Sequence, residues 1–268
     1  MEPIRVVVYG ASGKMGREII NTLCREPEMK VVGAVDREAT DESCLPLPDE
    51  WEAIPFSSDL DYILTSCQPD VLVDFTIAKA TMLAVRLAIK RGVNLVIGTT
   101  GLTTDELSEI DQLVKAHQVG AVVAPNFALG AVLMMHLARV AAKYLDYAEI
   151  IERHHQLKAD APSGTALSTA RAMAIARGKP FSRPPERGKT LPSRGEQVEG
   201  ITIHSVRLPG LLAHQEVILG GAGQTLSIRH DTISRECYMP GIILAIKEVI
   251  KRQGLVYGLD TLLGLQEE

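Results

Sequence analysis

The sequence predicts a two-domain α/β protein, a parallel sheet flanked by helices followed by a smaller α+β domain. Three observations predict it. Over the first 125 residues, short β-branched runs alternate with amphipathic stretches, the grammar of repeated β-α-β units. A glycine-rich turn joins the first such run to the first helix. Beyond Pro125 the alternation gives way to a long apolar helix and later to closely spaced strands. A length of 268 residues is long for one domain and comfortable for two.

Residues 4–9 form a β-branched run that ends in glycine. In residues 14–25, Met15, Ile19, Ile20 and Leu23 share one helical face. Residues 31–35 read as a second strand, followed by a Pro-rich acidic stretch around residues 42–50. The alternation resumes with a strand at 71–75, a helix at 79–91, a strand at 95–97, a helix at 104–117 and a strand at 121–124. An apolar helix over 129–144 leads to a strand at 148–153, a histidine-rich segment and a helix at 165–177. Residues 178–200 hold several Pro, Gly, Arg and Lys residues and read as a mobile loop. Strands at 201–207, 215–219 and 225–230 lie so close together that an antiparallel meander is expected. A last helix, 238–252, is expected to return to the first domain, giving domains of 1–125 plus 238–268 and of 126–237.

Hydrophobic residues make up 46% and charged residues 23%, enough to build real cores. The net charge of −5 comes with no basic block, so nucleic acid is not an expected partner. A small anionic substrate stays open, because a local pocket can be positive on a mildly acidic protein. Cys24, Cys44, Cys67 and Cys237 are scattered without metal-ligand spacing and fit free thiols in a reducing compartment. Arg86, Lys90 and Arg91 interrupt the most apolar region, and no membrane span is expected. The N-terminus shows no charged region leading to an apolar core, so a secretory signal is not expected and the cytoplasm is the expected location.

Gly10-Ala11-Ser12-Gly13-Lys14-Met15-Gly16 stands where the first strand meets the first helix. There, backbone N–H groups and the positive helix end can face a pyrophosphate. Gly10 permits the tight turn, Gly13 the approach of the phosphates and Gly16 close helix–strand packing, which makes this a Rossmann-type domain. The spacing is G-x-x-G-x-x-G rather than the commoner G-x-G-x-x-G. Asp36 ends the second strand twenty positions after Gly16, where an acid usually meets the adenosine ribose. Asp36 favours a free 2′-hydroxyl, whereas the following Arg37, with Lys14 near the phosphates, offsets its charge toward a 2′-phosphate. NADH and NADPH are both expected to serve. The plainer alternative makes the glycines a simple turn and Asp36 a solvated strand end. Gly98, Thr99 and Thr100, and Ala124, Pro125, Asn126 and Phe127, sit at two further strand ends, either as plain turns or as walls of a nicotinamide pocket.

The densest polar cluster runs from His154 to Thr165. Ser163 or Thr165 can cap the following helix, and Gly164 leaves its N–H groups exposed, an anion site suited to a carboxylate. Lys158, His154 and His155 add positive charge or deliver a proton. A structural histidine and an ordinary helix start are the plainer reading. A metal site is disfavoured, since adjacent residues on an extended chain point to opposite faces and no third ligand lies nearby.

The run from Glu152 to Ala166 resembles the signature of the 4-hydroxy-tetrahydrodipicolinate reductase family, formerly called dihydrodipicolinate reductase. Its pattern E-x-H-H-x-x-K-x-D-A-P-S-G-T-A is matched at every defined position. The Gly10–Gly16 loop, Gly98-Thr99-Thr100, Ala124-Pro125-Asn126-Phe127 and Ile203-His204-Ser205-Val206-Arg207 match as well, so the resemblance spans nearly the whole chain. It implies NAD(P)H-dependent formation of tetrahydrodipicolinate on the diaminopimelate route to lysine. It implies a cofactor site of Gly10, Ala11, Ser12, Gly13, Lys14, Met15, Asp36, Gly98, Thr99, Thr100, Ala124, Pro125, Asn126 and Phe127. His154 and Lys158 are the implied proton donors, and His155, Gly164 and Thr165, with Ser163 beside them, hold a small dicarboxylate substrate. The implied second domain binds substrate and assembles a homotetramer through its sheet. Lys14 stands where many relatives carry Arg and Gln224 where Glu is common, departures that touch cofactor preference and assembly rather than the reaction. Two other readings compete: a related NAD(P)-dependent oxidoreductase of another small oxo or imino acid, and a non-catalytic NAD(H)-binding redox sensor. A pure sensor has no need of the proton donors.

Overall fold

Three consecutive valines, Val6, Val7 and Val8, are fully buried in the first strand, so both faces of its sheet are covered. The structure, a computed structural model, describes residues 2–39, 43–47, 52–183 and 192–265. The chain runs through β1 (Ile4–Tyr9), α1 (Lys14–Leu23), β2 (Met29–Val35), β3 (Ser43–Leu45), β4 (Ile54–Ser57) and α2 (Leu60–Cys67). It continues with β5 (Val71–Asp74), α3 (Ala78–Ile89), β6 (Asn94–Ile97), α4 (Thr104–His117) and β7 (Gly120–Val123). Next come α5 (Leu129–Ala141), β8 (Tyr147–His154), α6 (Gly164–Arg177), β9 (Glu196–Val198), β10 (Ile201–Arg207), β11 (Ala213–Gly221) and β12 (Gln224–Thr232). The last elements are α7 (Met239–Val249), β13 (Gly254–Tyr257) and α8 (Leu259–Leu262). Two units result, Met1–Leu129 with Tyr238–Glu268, and Gly130–Cys237.

The first unit holds an eight-stranded sheet in the order β13-β7-β6-β5-β1-β2-β4-β3. Its pairings are parallel except for β3 with β4. Chain order reverses between β1 and β5, which opens a crevice outside the carboxyl ends of those strands. Leu64, Leu72, Ile89, Leu95, Ile97, Ile110 and Val114 are buried together in one core cluster. The helices that cover the sheet have legible ends: Thr103 and Glu106 form a reciprocal capping box at the start of α4, and Gln118 closes it in the left-handed conformation. Part of the acidic stretch around residues 42–50 lies outside the described residues; β3 and, beyond it, β4 and α2 fill the interval to β5.

Residues 126–129 belong to the first unit, four positions beyond the boundary expected from sequence. Phe127 explains the placement, since it is buried and its ring tilts against Phe75 with centroids 5.6 Å apart.

The second unit carries a five-stranded sheet ordered β12-β11-β8-β10-β9. The expected antiparallel meander holds for β11 with β12 and is corrected for β10: β8 lies between β10 and β11, pairing parallel with β10 and antiparallel with β11. A strand–helix–strand crossover through α6 sets that order, because β10 can run parallel to β8 only after such a crossover. Ala166, Ala170 and Met173 of α6 are buried with Ile150, Ile203, Val217 and Leu219 of the sheet. On β8 the buried positions alternate as Ala148, Ile150 and Glu152, which puts a carboxylate in line with two core residues. Of the expected 178–200 loop, residues 184–191 lie outside the described residues, and β9 occupies part of the remainder.

Candidate active site

In the first unit the residues singled out for a cofactor gather at the carboxyl edge of the parallel sheet. Gly10 follows β1 with φ +85, and a Cβ there would lie 3.0 Å from the Phe75 carbonyl oxygen. A Cβ on Gly16 would lie 2.2 Å from the Gly10 carbonyl oxygen, so the loop and α1 meet backbone to backbone. Gly13 is the N-cap of α1 and no side chain caps the helix, the arrangement of a helix start that receives an anion. Ala11 is buried, Met15 half-buried, and Lys14 and Arg37 are exposed.

Asp36 does more than end β2. Its Oδ2 accepts from the Ser12 N–H at 3.0 Å and its Oδ1 from the Glu38 N–H at 3.2 Å. The carboxylate therefore ties the second strand to the glycine loop. Gly98, Thr99 and Thr100 follow β6, and Ala124, Pro125, Asn126 and Phe127 follow β7, at neighbouring strand ends. The Asn126 side chain accepts from the Ala128 N–H at 2.9 Å, which shapes the turn into α5.

Sequence reasoning missed Asp74, at the end of β5 beside this edge. It is 1% exposed, and its Oδ1 accepts from the Thr76 N–H at 2.9 Å, the Thr76 hydroxyl at 2.6 Å and the Thr99 hydroxyl at 3.3 Å. Burial pushes the carboxyl above its ordinary range against the pull of those hydrogen bonds. It links the turn after β5 to the Gly98–Thr100 segment. The available signal was an acid closing the wholly buried run Val71-Leu72-Val73.

The second unit gathers the histidine–lysine–serine residues around the end of β8 and the start of α6. His154 is the last residue of β8, and the exposed His155 follows it. Lys158 Nζ pairs with Asp160 Oδ1 at 2.8 Å, and the Lys158 N–H donates to the His155 carbonyl at 3.2 Å, closing a turn. The Lys158 ammonium beside Asp160 holds that carboxyl below its ordinary range. Ser163 is the N-cap of α6 and its hydroxyl accepts from the Ala166 N–H at 3.2 Å; Gly164 and Thr165 are the first two residues of the helix.

Glu152 and Arg207 stand in the matched motifs, but sequence reasoning gave neither a role. The Glu152 side chain is fully buried, and Arg207 grips it with Nη1–Oε2 at 2.8 Å and Nη2–Oε1 at 2.9 Å. Glu152 Oε2 lies 2.6 Å from His154 Nδ1, and its Oε1 accepts from the Ser163 N–H at 3.2 Å. Burial pushes this carboxyl up, but the hydrogen bonds from His154, Arg207 and Ser205 outweigh it and hold the value at about 2.

A dinucleotide fits the first unit on a structural ground, because the Gly10–Gly16 cradle is one that a single Cβ would fill. Such a loop at a topological switch point is how dinucleotide-dependent oxidoreductases are built, and the acid–base groups of the second unit accord with that class. Comparison with known proteins narrows the class. Residues 4–127 match the family model for the N-terminus of dihydrodipicolinate reductase, and residues 130–263 match that for its C-terminus. The chain belongs to the dihydrodipicolinate reductase family.

A 4-hydroxy-tetrahydrodipicolinate reductase of Dehalococcoides mccartyi is 58% identical over 265 residues, covering 99% of this chain and 100% of the relative. One of Moorella thermoacetica is 52% identical over 97% of this chain and 98% of its own length. The solved structure of dipicolinate-bound dihydrodipicolinate reductase from Paenisporosarcina sp. TG-14 superposes with a TM-score of 0.85 at 40% identity, covering 97% of this chain and 99% of that one. The resemblance read from residues 152–166 is confirmed at the level of the whole chain.

Proposed function

We propose that this protein reduces 4-hydroxy-tetrahydrodipicolinate, by way of dihydrodipicolinate, to tetrahydrodipicolinate with NADH or NADPH, in the diaminopimelate route to lysine. The observation that carries the reading is the intact proton-donor and anion-binding cluster from His154 to Thr165, in a chain that matches both halves of the family. The first unit holds the cofactor through Gly10, Ala11, Ser12, Gly13, Lys14, Met15, Asp36 and Arg37. Gly98, Thr99, Thr100, Ala124, Pro125, Asn126 and Phe127 wall the nicotinamide end. The bound dinucleotide supplies the hydride.

The chain's own residues do the rest. His155, Ser163, Gly164 and Thr165 bind the substrate carboxylates, using the positive start of α6. The relative solved with dipicolinate, a planar dicarboxylate, supports that substrate class. Reduction of the conjugated imine adds one hydride and one proton, and negative charge builds on the ring before the proton arrives. Lys158 and His154 stabilise that charge and supply the proton.

Assembly as a homotetramer belongs to the same reading. It is supported by the sheet face of the second unit opposite its core, where Tyr147, Ile151, Val206 and Ile218 stand only partly covered beside the Arg153–Glu216 pair. No helix among the described residues is long and apolar enough to cross a membrane, and a cytoplasmic location accompanies the proposal.

The test is a coupled assay. The preceding synthase condenses pyruvate with aspartate semialdehyde, and the loss of NADH or NADPH absorbance is followed on adding the protein. No oxidation of either cofactor overturns the assignment.

A further inference from the structure

The motif carries a carboxylate that the proposed reaction does not consume. Glu152 occupies an inward position on β8, in register with Ser205 of β10 and Gln215 of β11. Gln215 donates its amide to the Thr169 hydroxyl at 2.8 Å and so is engaged away from Glu152. Among the described residues, the groups that reach Glu152 are then Arg207 from β10, His154 from β8, Ser205 and the backbone of Ser163. Arg207 in turn donates to the Asp160 carbonyl at 2.5 Å. One ion pair thus touches the proton-donor segment at its start, its middle and its end.

We infer that Glu152, locked by Arg207, is a positioning residue that fixes His154 with its proton on Nδ1, so that Nε2 faces the substrate, and that the same carboxylate sets the start of α6 through Ser163. The inference rests on the reductase reading for what His154 does, but its geometry stands alone. A carboxylate that takes two guanidinium N–H groups and a backbone N–H is an acceptor throughout. The nitrogen 2.6 Å from it must therefore be the donor. That leaves Nε2 as the nitrogen that can give up or take a proton. A buried ion pair adds little net stability over apolar packing, whereas direction is something only a charged, hydrogen-bonded group imposes here. His154 and Ser163 are separated along the chain by the whole loop, yet both hang on one side chain that a single strand holds in place.

Glu152→Gln tests it. A glutamine has one acceptor oxygen, which Arg207 takes, and its amide N–H₂ then faces His154 Nδ1 and drives the proton to Nε2. The tautomer is read by NMR of protein labelled with ¹⁵N-histidine, with His154→Gln assigning the signal. The wild type is expected to show Nδ1–H in the neutral ring and the variant Nε2–H. Turnover is expected to fall by about 10²- to 10⁴-fold, the range for losing a carboxylate that orients a working imidazole. NADH affinity, read by fluorescence, is expected to stay unchanged. Glu149→Gln, which removes a partly exposed partner of Arg194 and His204 on the same strand, is expected to leave both turnover and tautomer alone.

A wild-type His154 in the Nε2–H form overturns the inference, and that spectrum decides even if the variant does not fold. A flipped tautomer with wild-type kcat overturns it equally. A wild-type protein inactive in the coupled assay refutes the reductase reading instead, and the tautomer measurement still decides the placement of His154.

Discussion

Gly16→Ala puts the cradle of the first unit to a quantitative test. Gly16 sits in the first turn of α1 and is buried. On helix propensity alone, alanine stabilises that position by about 1 kcal/mol over glycine. Its methyl carbon, however, would sit 2.2 Å from the Gly10 carbonyl oxygen, 2.7 Å from Ala11 Cα and 2.9 Å from the Ala11 oxygen. All three are backbone atoms, with no flexible side chain to swing aside. Overpacking of this kind costs about 3 kcal/mol, at the upper end of the usual range. The contact therefore outweighs the propensity, leaving a net loss of about 2 kcal/mol. For a unit of this size that lowers Tm by about 4–8 °C. Relief comes only by moving the Gly10–Ala11 backbone, so NADH affinity is expected to drop by about 10-fold or more, equivalent to about 1.4 kcal/mol.

Gly164→Ala is the matched contrast. Gly164 also opens a helix, but among the described residues nothing beyond its chain neighbours and its own helix backbone lies within 4 Å of an added Cβ there. Its Tm is expected to hold or rise slightly, while KM for the dicarboxylate rises because the methyl intrudes where the carboxylate approaches. Thermal unfolding and NADH fluorescence titration check both. A Gly16→Ala protein with unchanged Tm and unchanged NADH affinity would refute the reasoning.

Three further outcomes follow from the structure. Lys158→Ala is expected to lower kcat by about 10²–10³ while cofactor affinity stays put, and unchanged turnover removes Lys158 from the mechanism. Asp36→Asn keeps an acceptor for the Ser12 N–H but removes a charge worth about 1 kcal/mol against a 2′-phosphate, shifting the affinity ratio about 5-fold toward NADPH; equal changes for both cofactors contradict the ribose role. Two buried acids titrate in opposite senses. Glu152, at about 2 against an ordinary 4.5, contributes stability that is present above 4.5 and lost as pH falls toward 2, about 3 kcal/mol at about 1.4 kcal/mol per pH unit. Asp74 is raised, so its folded form prefers the proton, and the wild type loses stability as pH climbs from about 4 through the folded value. Asp74→Asn therefore gains on the wild type with rising pH in urea unfolding; a constant difference across the range counts against a raised Asp74.

Much of the first unit was legible because its signals are local. The period of α4, with its Thr103–Glu106 box, and the buried valines of β1 announce themselves within a few residues. Strand β4 was missed, being four residues long, carrying Pro55 and pairing parallel only with the last residues of β2. Strand β13 is equally short, and only its pairing with β7 makes it a strand. The expected pairing of β10 with β11 fails for a related reason, while β11 with β12 pairs as expected. Residues 208–212 suffice to pass over one intervening strand, about 10 Å between non-adjacent neighbours, so closeness in sequence did not mean pairing. The site divided in the same way. His154, Lys158 and Ser163 carry a residue pattern, whereas the partners of Glu152 and Asp74 depend on which strands and turns lie beside them.

The two helix starts show what each unit supplies before a ligand arrives. Helix α1 begins at Gly13 with no side-chain cap, on a loop whose shape is set by backbone contact and by Asp36. Helix α6 begins at Ser163, whose hydroxyl caps Ala166 and whose own N–H is held by Glu152. The second unit thus has its cap made and its imidazole held by Glu152, which on the proposed reading readies it to meet developing charge. On the proposed reading, a cofactor phosphate completes the uncapped helix end of the first unit, which would link its stability to cofactor occupancy: a ligand at 100 times its Kd adds about 2.7 kcal/mol. That difference is why a methyl group at Gly16 is expected to harm fold and binding together, whereas one at Gly164 should separate them.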